Sequence, residues 1–327
     1  MKPFVKYPGG KIKEFPLVDK FKPNIIERYF EPFVGGGAIY LNLNIKESYI
    51  NDKSTDLTNL YKFIKYQDEQ FFSYLDEFDF IWRQVENSET ISSEVLSFDK
   101  FAQYFTSSFG TKMKKLSSLE ENGYTISDND KVSMKLTAKK TAIYMCIRDI
   151  YNDFNGDESL HTACFYFLRE YCYSSMFRFS KEGKFNVPYG GRSYDKKYMT
   201  SKIEQMKSKA MFDCLKATCI FNLDFEEFLN RFDLTSNDFL FLDPPYDSDF
   251  STYDKNVFDK QEQRRLAKFL SNTAAKWMII IKKTAFIYGL YKDFNIYEYD
   301  KNYLVSFKNR NIKEAKHLLI TNYKLEE

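Results

Sequence analysis

Apolar residues in this chain gather into short blocks that stop at an acid, a glycine or a proline, and the rhythm of the blocks changes twice along its length. Ile25-Ile26-Glu27-Arg28-Tyr29-Phe30 predicts a strand, a glycine-rich turn follows, and Ile39–Asn44 predicts the start of a helix. Ser48–Asp52 predicts a second strand that closes on an acid. From about Leu57 to Met211 the pattern turns helical: runs at 57–66 and 68–82, polar stretches at 86–94 and 121–135, and buried helices over Thr141–Ile150 and Ala163–Tyr173. Alternating apolar residues around Lys181-Glu182-Gly183 predict a β-hairpin over 175–190, and a helix is expected near 199–216. Strand–helix alternation then returns, with strands at 218–223, 239–242, Trp277–Ile281, 295–303 and 317–323 and helices at 226–231, 260–273 and 284–291. This order predicts an α/β fold whose sheet is split by an insertion, with residues 1–56 and 212–327 forming one domain and 57–211 the other.

The block Phe239-Leu240-Phe241-Leu242 is long enough for a buried parallel strand and too short for a helix. It ends in Asp243-Pro244-Pro245-Tyr246, where two prolines remove backbone donors and force the chain out of the sheet. A carboxylate, free carbonyls and an aromatic ring are thus left at the carboxyl end of a strand, where open α/β sheets hold ligands. Glu31-Pro32-Phe33-Val34-Gly35-Gly36-Gly37-Ala38 lies between strand and helix, the nucleotide-binding arrangement, and carries no Lys-Ser/Thr pair of a triphosphate-binding loop. Asp52 can accept from ribose hydroxyls or cap the helix that begins near Ser54. Lys6-Tyr7-Pro8-Gly9-Gly10-Lys11 is a glycine turn flanked by cations, and the hairpin arms carry Arg178 and Lys184 among aromatics.

Composition changes little of this. A formal charge of +2 imposes no global basic field, although 48 cationic residues allow a local patch. Five scattered cysteines and two histidines argue against a zinc centre and for reduced thiols in an intracellular compartment. The start Met1-Lys2-Pro3-Phe4 has no apolar signal core, and no apolar run approaches membrane-span length, so a cytoplasmic protein is expected.

Taken in order, these segments resemble the Dam-like, alpha-class DNA adenine-N6 methyltransferases across nearly the whole chain. The likeness rests on Lys6–Lys11, Glu31–Ala38, Ile50-Asn51-Asp52, Gly183–Gly190, Asp224-Phe225, Asp243-Pro244-Pro245-Tyr246 and the segment from Arg310 to Tyr323. It implies a Rossmann-like sheet that binds S-adenosylmethionine and an inserted, mainly helical target-recognition domain bearing the hairpin. Tyr7 and Lys11 would border the cofactor, Phe33 and Gly35 line its turn, and Asp52 hold its ribose. Asp224 would accept from its adenine amino group, with Phe225 beside it, and Asp243 would also touch it. Catalysis would fall to Asp243 and the Pro244 carbonyl, accepting the two amino hydrogens of a flipped-out adenine, with Tyr246 stacked on the base and no metal required. Lys6, Tyr173, Arg178 and Pro188 would face duplex DNA, Arg178 reading a guanine in a GATC-like tetranucleotide.

The chain departs from that pattern at Tyr173-Ser174-Ser175, where relatives carry Phe/Tyr-Asn-Gly, and at Lys282-Lys283, where many carry Ser-Asn. The expected setting is a monomer in a restriction–modification system whose endonuclease acts independently. Alternatives are an orphan regulatory methylase, a methyltransferase of RNA or protein, and a DNA-binding module without activity. Asp243 argues against the protein-glutamine enzymes, whose related motif begins with Asn.

Overall fold

In β1 (Arg28–Glu31) and β4 (Asp238–Leu242), the pairing of neighbouring strands can be read from one ion pair: Arg28 and Asp238 are register partners, and the guanidinium meets the carboxylate through two contacts of 2.7 Å. The computed structural model describes residues 1–7, 9–88, 100–245, 258–302 and 314–325; Pro8, Tyr246 and Arg310 lie outside the described residues, as do 89–94 of the expected polar stretch and residue 303.

Two units divide the chain. The first comprises Met1–Pro3, Gly9–Lys62 and Asp213–Glu327, and the second Phe4–Pro8 and Phe63–Phe212. In order, the chain runs through α1 (Phe15–Phe21), β1, α2 (Tyr40–Leu43), β2 (Ser48–Asn51) and α3 (Thr55–Tyr66). Then come α4 (Glu69–Gln84), α5 (Phe101–Glu121), α6 (Asp128–Asn152), α7 (Glu158–Tyr171), α8 (Thr200–Lys207) and α9 (Lys209–Lys216). It finishes with β3 (Thr218–Phe221), α10 (Phe225–Leu229), β4, α11 (Lys260–Asn272), β5 (Lys276–Lys282), α12 (Ala285–Tyr291), β6 (Asn295–Asn302) and β7 (Glu314–Thr321).

The first unit is built on a seven-stranded sheet of order β3-β2-β1-β4-β5-β7-β6. The first five strands in that order are parallel, and β7 pairs antiparallel with both β5 and β6. All five residues of β4 are buried, as a strand covered on both faces requires. Leu240, Leu242, Trp277, Ile279, Leu318 and Ile320 form one side of its core with Leu266 and Leu270 of α11. This is the mixed, Rossmann-like α/β sheet that the alternation of blocks predicts. Strand order reverses between β1 and β4, the switch point beside which such sheets bind ligands.

The second unit is helical. Trp82, Tyr144, Phe167, Tyr171 and Tyr189 meet at its centre, with ring centroids of Trp82 and Tyr171 4.4 Å apart. Two expectations are corrected here. The polar stretch 121–135 is helical from Asp128, because Ser127 accepts from the Asp130 amide and its hydroxyl bonds the Asp130 carboxylate. The single helix expected near 199–216 is two, parted at the extended Ser208.

The hairpin is shorter than alternation suggests. Its turn is well formed: the Gly183 amide donates to the Ser180 carbonyl at 3.0 Å, and Gly183 takes φ +77°, a left-handed position suited to glycine. Its arms meet at the antiparallel bridge Phe179–Phe185. Asn152 of α6 then occupies the backbone of Phe185, donating to its carbonyl at 3.0 Å and accepting its amide at 2.7 Å. Toward Tyr173 the backbone curls at Ser174 and Ser175, both at positive φ, so the strand cannot extend further.

Candidate active site

The glycine turn after β1 is shaped by local sterics. Gly35 and Gly37 adopt φ +49° and +69°, and a Cβ on Gly37 would stand 2.5 Å from the Tyr61 hydroxyl. Tyr61 donates to the Gly35 carbonyl at 3.0 Å, fixing the turn from the opposite side. The Gly35 amide donates to Asp52 Oδ2 at 3.0 Å, and the Ser54 amide to Asp52 Oδ1 at 2.9 Å. Asp52 therefore holds both the glycine turn and the start of the chain into α3.

Asn51, which the sequence reading passed over, ties the neighbouring strand ends. Its buried amide donates to the carbonyls of Pro32 and Leu223, each at 3.0 Å, and accepts from the Leu223 amide at 2.9 Å. One side chain thus joins the segments leaving β1 and β3. A polar residue immediately before an acid at a strand end was the available signal.

Beyond β3, Asp224 caps α10 by accepting from the Glu226 amide at 3.0 Å, and its other oxygen meets Arg265 Nη2 at 2.6 Å. Phe225 is buried next to Phe33, with ring centroids 5.7 Å apart, and Phe258 closes the group. Arg265 of α11 covers the Phe225 ring at 4.4 Å. The expected cofactor residues Phe33, Asp224 and Phe225 are brought together, as are Gly35 and Asp52.

At the end of β4, Lys11 Nζ contacts Asp243 Oδ1 at 2.5 Å and donates to the Gly9 carbonyl at 2.9 Å. Lys11 is 2% exposed and Asp243 21%, so the ammonium is sheltered while the carboxylate is partly exposed. Pro244 is buried, and among the described residues nothing donates to its carbonyl. The Pro245 carbonyl, in contrast, accepts from the buried Gln263 amide at 3.0 Å, which fixes the path of the two prolines. Beneath, Glu31 is wholly buried and accepts from the Tyr29 hydroxyl at 2.6 Å. Burial, opposed by that bond and reinforced by the charges of Asp243 and Asp52, pushes its pKa well above the ordinary value.

The remaining expected residues belong to the second unit. Tyr173 and Pro188 are joined by a backbone bond of 2.9 Å, and Arg178 is exposed with Nε donating to Asn186 at 3.0 Å. The Lys6 amide donates to Glu170 at 3.3 Å, and its ammonium stands 5.1 Å from the Tyr194 ring centroid. Tyr7 lies under the Arg169 guanidinium at 4.5 Å. Burial works against the Glu170 carboxylate, but Lys197 and Lys202 outweigh it and keep its pKa below the ordinary glutamate value.

Residues 7–305 match the family model of the D12 class N6 adenine-specific DNA methyltransferases. The chain belongs to that family. Methyltransferase relatives extend over its full length. The Type II methyltransferase M.MjaIII of Methanocaldococcus jannaschii is 30% identical over 345 residues, 99% of each chain. The Type II methyltransferase M.CviBI of Paramecium bursaria Chlorella virus NC1A is 27% identical over 328 residues, 99% of this chain and 100% of its own. The DNA adenine methylase of Vibrio cholerae is 23% identical over 277 residues, 83% of this chain and 76% of its own.

As a D12 class enzyme, the chain is an adenine-specific DNA methyltransferase that takes a methyl group from a donor and places it on DNA. The RNA, protein and inactive-module alternatives give way to that assignment. Among the described residues no group of His, Cys, Asp and Glu side chains could hold a metal ion, and no helix is long and apolar enough to cross a membrane.

Proposed function

We propose that the methyl donor is S-adenosylmethionine and that the acceptor is N6 of an adenine turned out of duplex DNA. The observation that carries this reading is the end of β4, where Asp243 is held by Lys11 beside the Pro244 carbonyl, to which nothing donates among the described residues. The residues next to the switch point suit such a cofactor: a glycine turn without a phosphate-binding lysine, a carboxylate anchored at Asp52, and the Phe33–Phe225 pair with Asp224. When bound, S-adenosylmethionine supplies an electrophilic methyl on sulfur. Asp52 would take its ribose hydroxyls, Asp224 its adenine amino group, and Lys11, Phe33, Gly35 and Phe225 would line it.

An adenine amino group is a weak nucleophile because its lone pair is delocalised into the ring. Asp243 and the Pro244 carbonyl would accept its two hydrogens, hold the nitrogen nearer tetrahedral geometry and aim the lone pair. Tyr246 would stack on the displaced base. This is catalysis by positioning and electrostatics. The unit containing residues 63–212 would recognise the target through Lys6, Tyr173, Arg178 and Pro188, and the other unit would hold the cofactor.

A restriction–modification role in the cell interior, as a monomer, is favoured over an orphan regulatory one. The Type II relatives match this chain end to end, whereas the Vibrio cholerae adenine methylase matches 83% of it. Incubation of duplex DNA with labelled S-adenosylmethionine, followed by identification of the modified base, tests the reading. Label on adenine N6 within one short sequence supports it. Label on cytosine, or none on duplex DNA, rejects it.

A further inference from the structure

Helix α7 carries in its last turn Arg169, a guanidinium only 2% exposed that makes no ion pair among the described residues and whose Nε has no hydrogen-bond partner. Burial of an unpaired charge is costly, and interiors accept it only where something else compensates. Here the compensation is aromatic. The Arg169 Cζ lies 4.5 Å from the Tyr7 ring centroid and 4.6 Å from that of Phe177, with Phe165 at 5.8 Å. The planar cation is therefore gripped by rings, a contact that strengthens when desolvated.

The two nearest rings come from segments far apart in sequence. Tyr7 directly follows Lys6, and Phe177 directly precedes Arg178. The adjoining Glu170 takes the Lys6 amide at 3.3 Å, and Lys197 and Lys202 anchor that carboxylate in turn. Thus Arg169 and Glu170 hold the segment bearing one candidate base-reading cation and the hairpin bearing the other.

We infer that Arg169 is a specificity-positioning residue, a buried spacer whose stack sets the distance between Lys6 and Arg178 and hence the spacing of bases they can read together. The inference rests on the proposed roles of Lys6 and Arg178 in duplex recognition. Arg169 itself, being buried, would not touch DNA.

The test compares kcat/KM on the preferred duplex with kcat/KM on duplexes altered at one base pair at a time. Arg169→Met keeps a long apolar filler between the rings but removes the planar charge, and Arg169→Lys keeps the charge without the planar stack. Phe177→Leu removes one ring and provides a second route should the Arg169 variants fold poorly. Discrimination should relax about tenfold, the scale of a lost desolvated cation–π contact, at the positions read by Lys6 and by Arg178 together. Arg169→Lys should recover only part of it. Variants with lower thermal stability but wild-type discrimination at every position would overturn the inference and leave Arg169 a packing residue. A wild-type enzyme that methylates adenine yet loses nothing when Lys6 and Arg178 are replaced would instead overturn the reading on which it stands.

Discussion

Lys11 and Asp243, 232 residues apart in sequence, meet at 2.5 Å where β4 leaves the sheet. The lysine is buried and the acid is 21% exposed, so the pair fixes the orientation of a carboxylate proposed to meet the substrate. Replacing Lys11 with Met would retain much of the stem and remove the ammonium. In single-turnover assays at saturating DNA and cofactor, transfer should slow by roughly 10–100-fold, because the acid loses its fixed orientation.

Asn51 is the staple of the strand ends above which the cofactor is proposed to lie. Asn51→Ala removes three hydrogen bonds, one buried and two part-buried, and leaves the Pro32 and Leu223 backbone groups without them. Urea unfolding should show a loss of about 2–4 kcal/mol, since groups left unsatisfied add to the bonds themselves. The KM for S-adenosylmethionine should rise in the same variant.

Glu31 makes stability depend on pH in a defined direction. Its folded pKa is raised above the ordinary 4.5, so the native state retains a proton that the unfolded chain has released. Its contribution is complete below that value and declines as pH rises toward the folded pKa, by up to about 1.4 kcal/mol per pH unit. Glu31→Gln, which imitates the neutral acid, should remove this decline. Denaturant unfolding from pH 5 to 8 should show the variant gaining on the wild type as pH increases.

Much of the sheet was legible because parallel strands in a covered sheet are short apolar blocks with abrupt ends. Phe239–Leu242 and Trp277–Ile281 stand out for that reason, and their flanking helices carry clear caps, as Asp259 shows for α11. The glycine turn and Asp52 were legible as residue types, although one carboxylate proves able to hold the turn and cap the following chain at once. The helical unit was less readable. Its long α6 begins in a polar, surface stretch that only the Ser127–Asp130 cap distinguishes from a loop, and α5 has a single buried residue, Leu116, to mark its face. Contacts such as Lys11–Asp243, Asp224–Arg265 and Arg169–Tyr7 join segments distant in sequence, and no local pattern announces them.

The most direct test of the proposed chemistry is single-turnover methyl transfer by Asp243→Ala, measured beside calorimetric binding of S-adenosylmethionine. Loss of the oriented acceptor should reduce the transfer rate by about 10²–10³-fold, the usual consequence of deleting one preorganised hydrogen-bonding group, while cofactor binding is largely retained. A variant that methylates adenine at the wild-type rate would contradict the assignment of Asp243 as the residue that holds the reacting amino group.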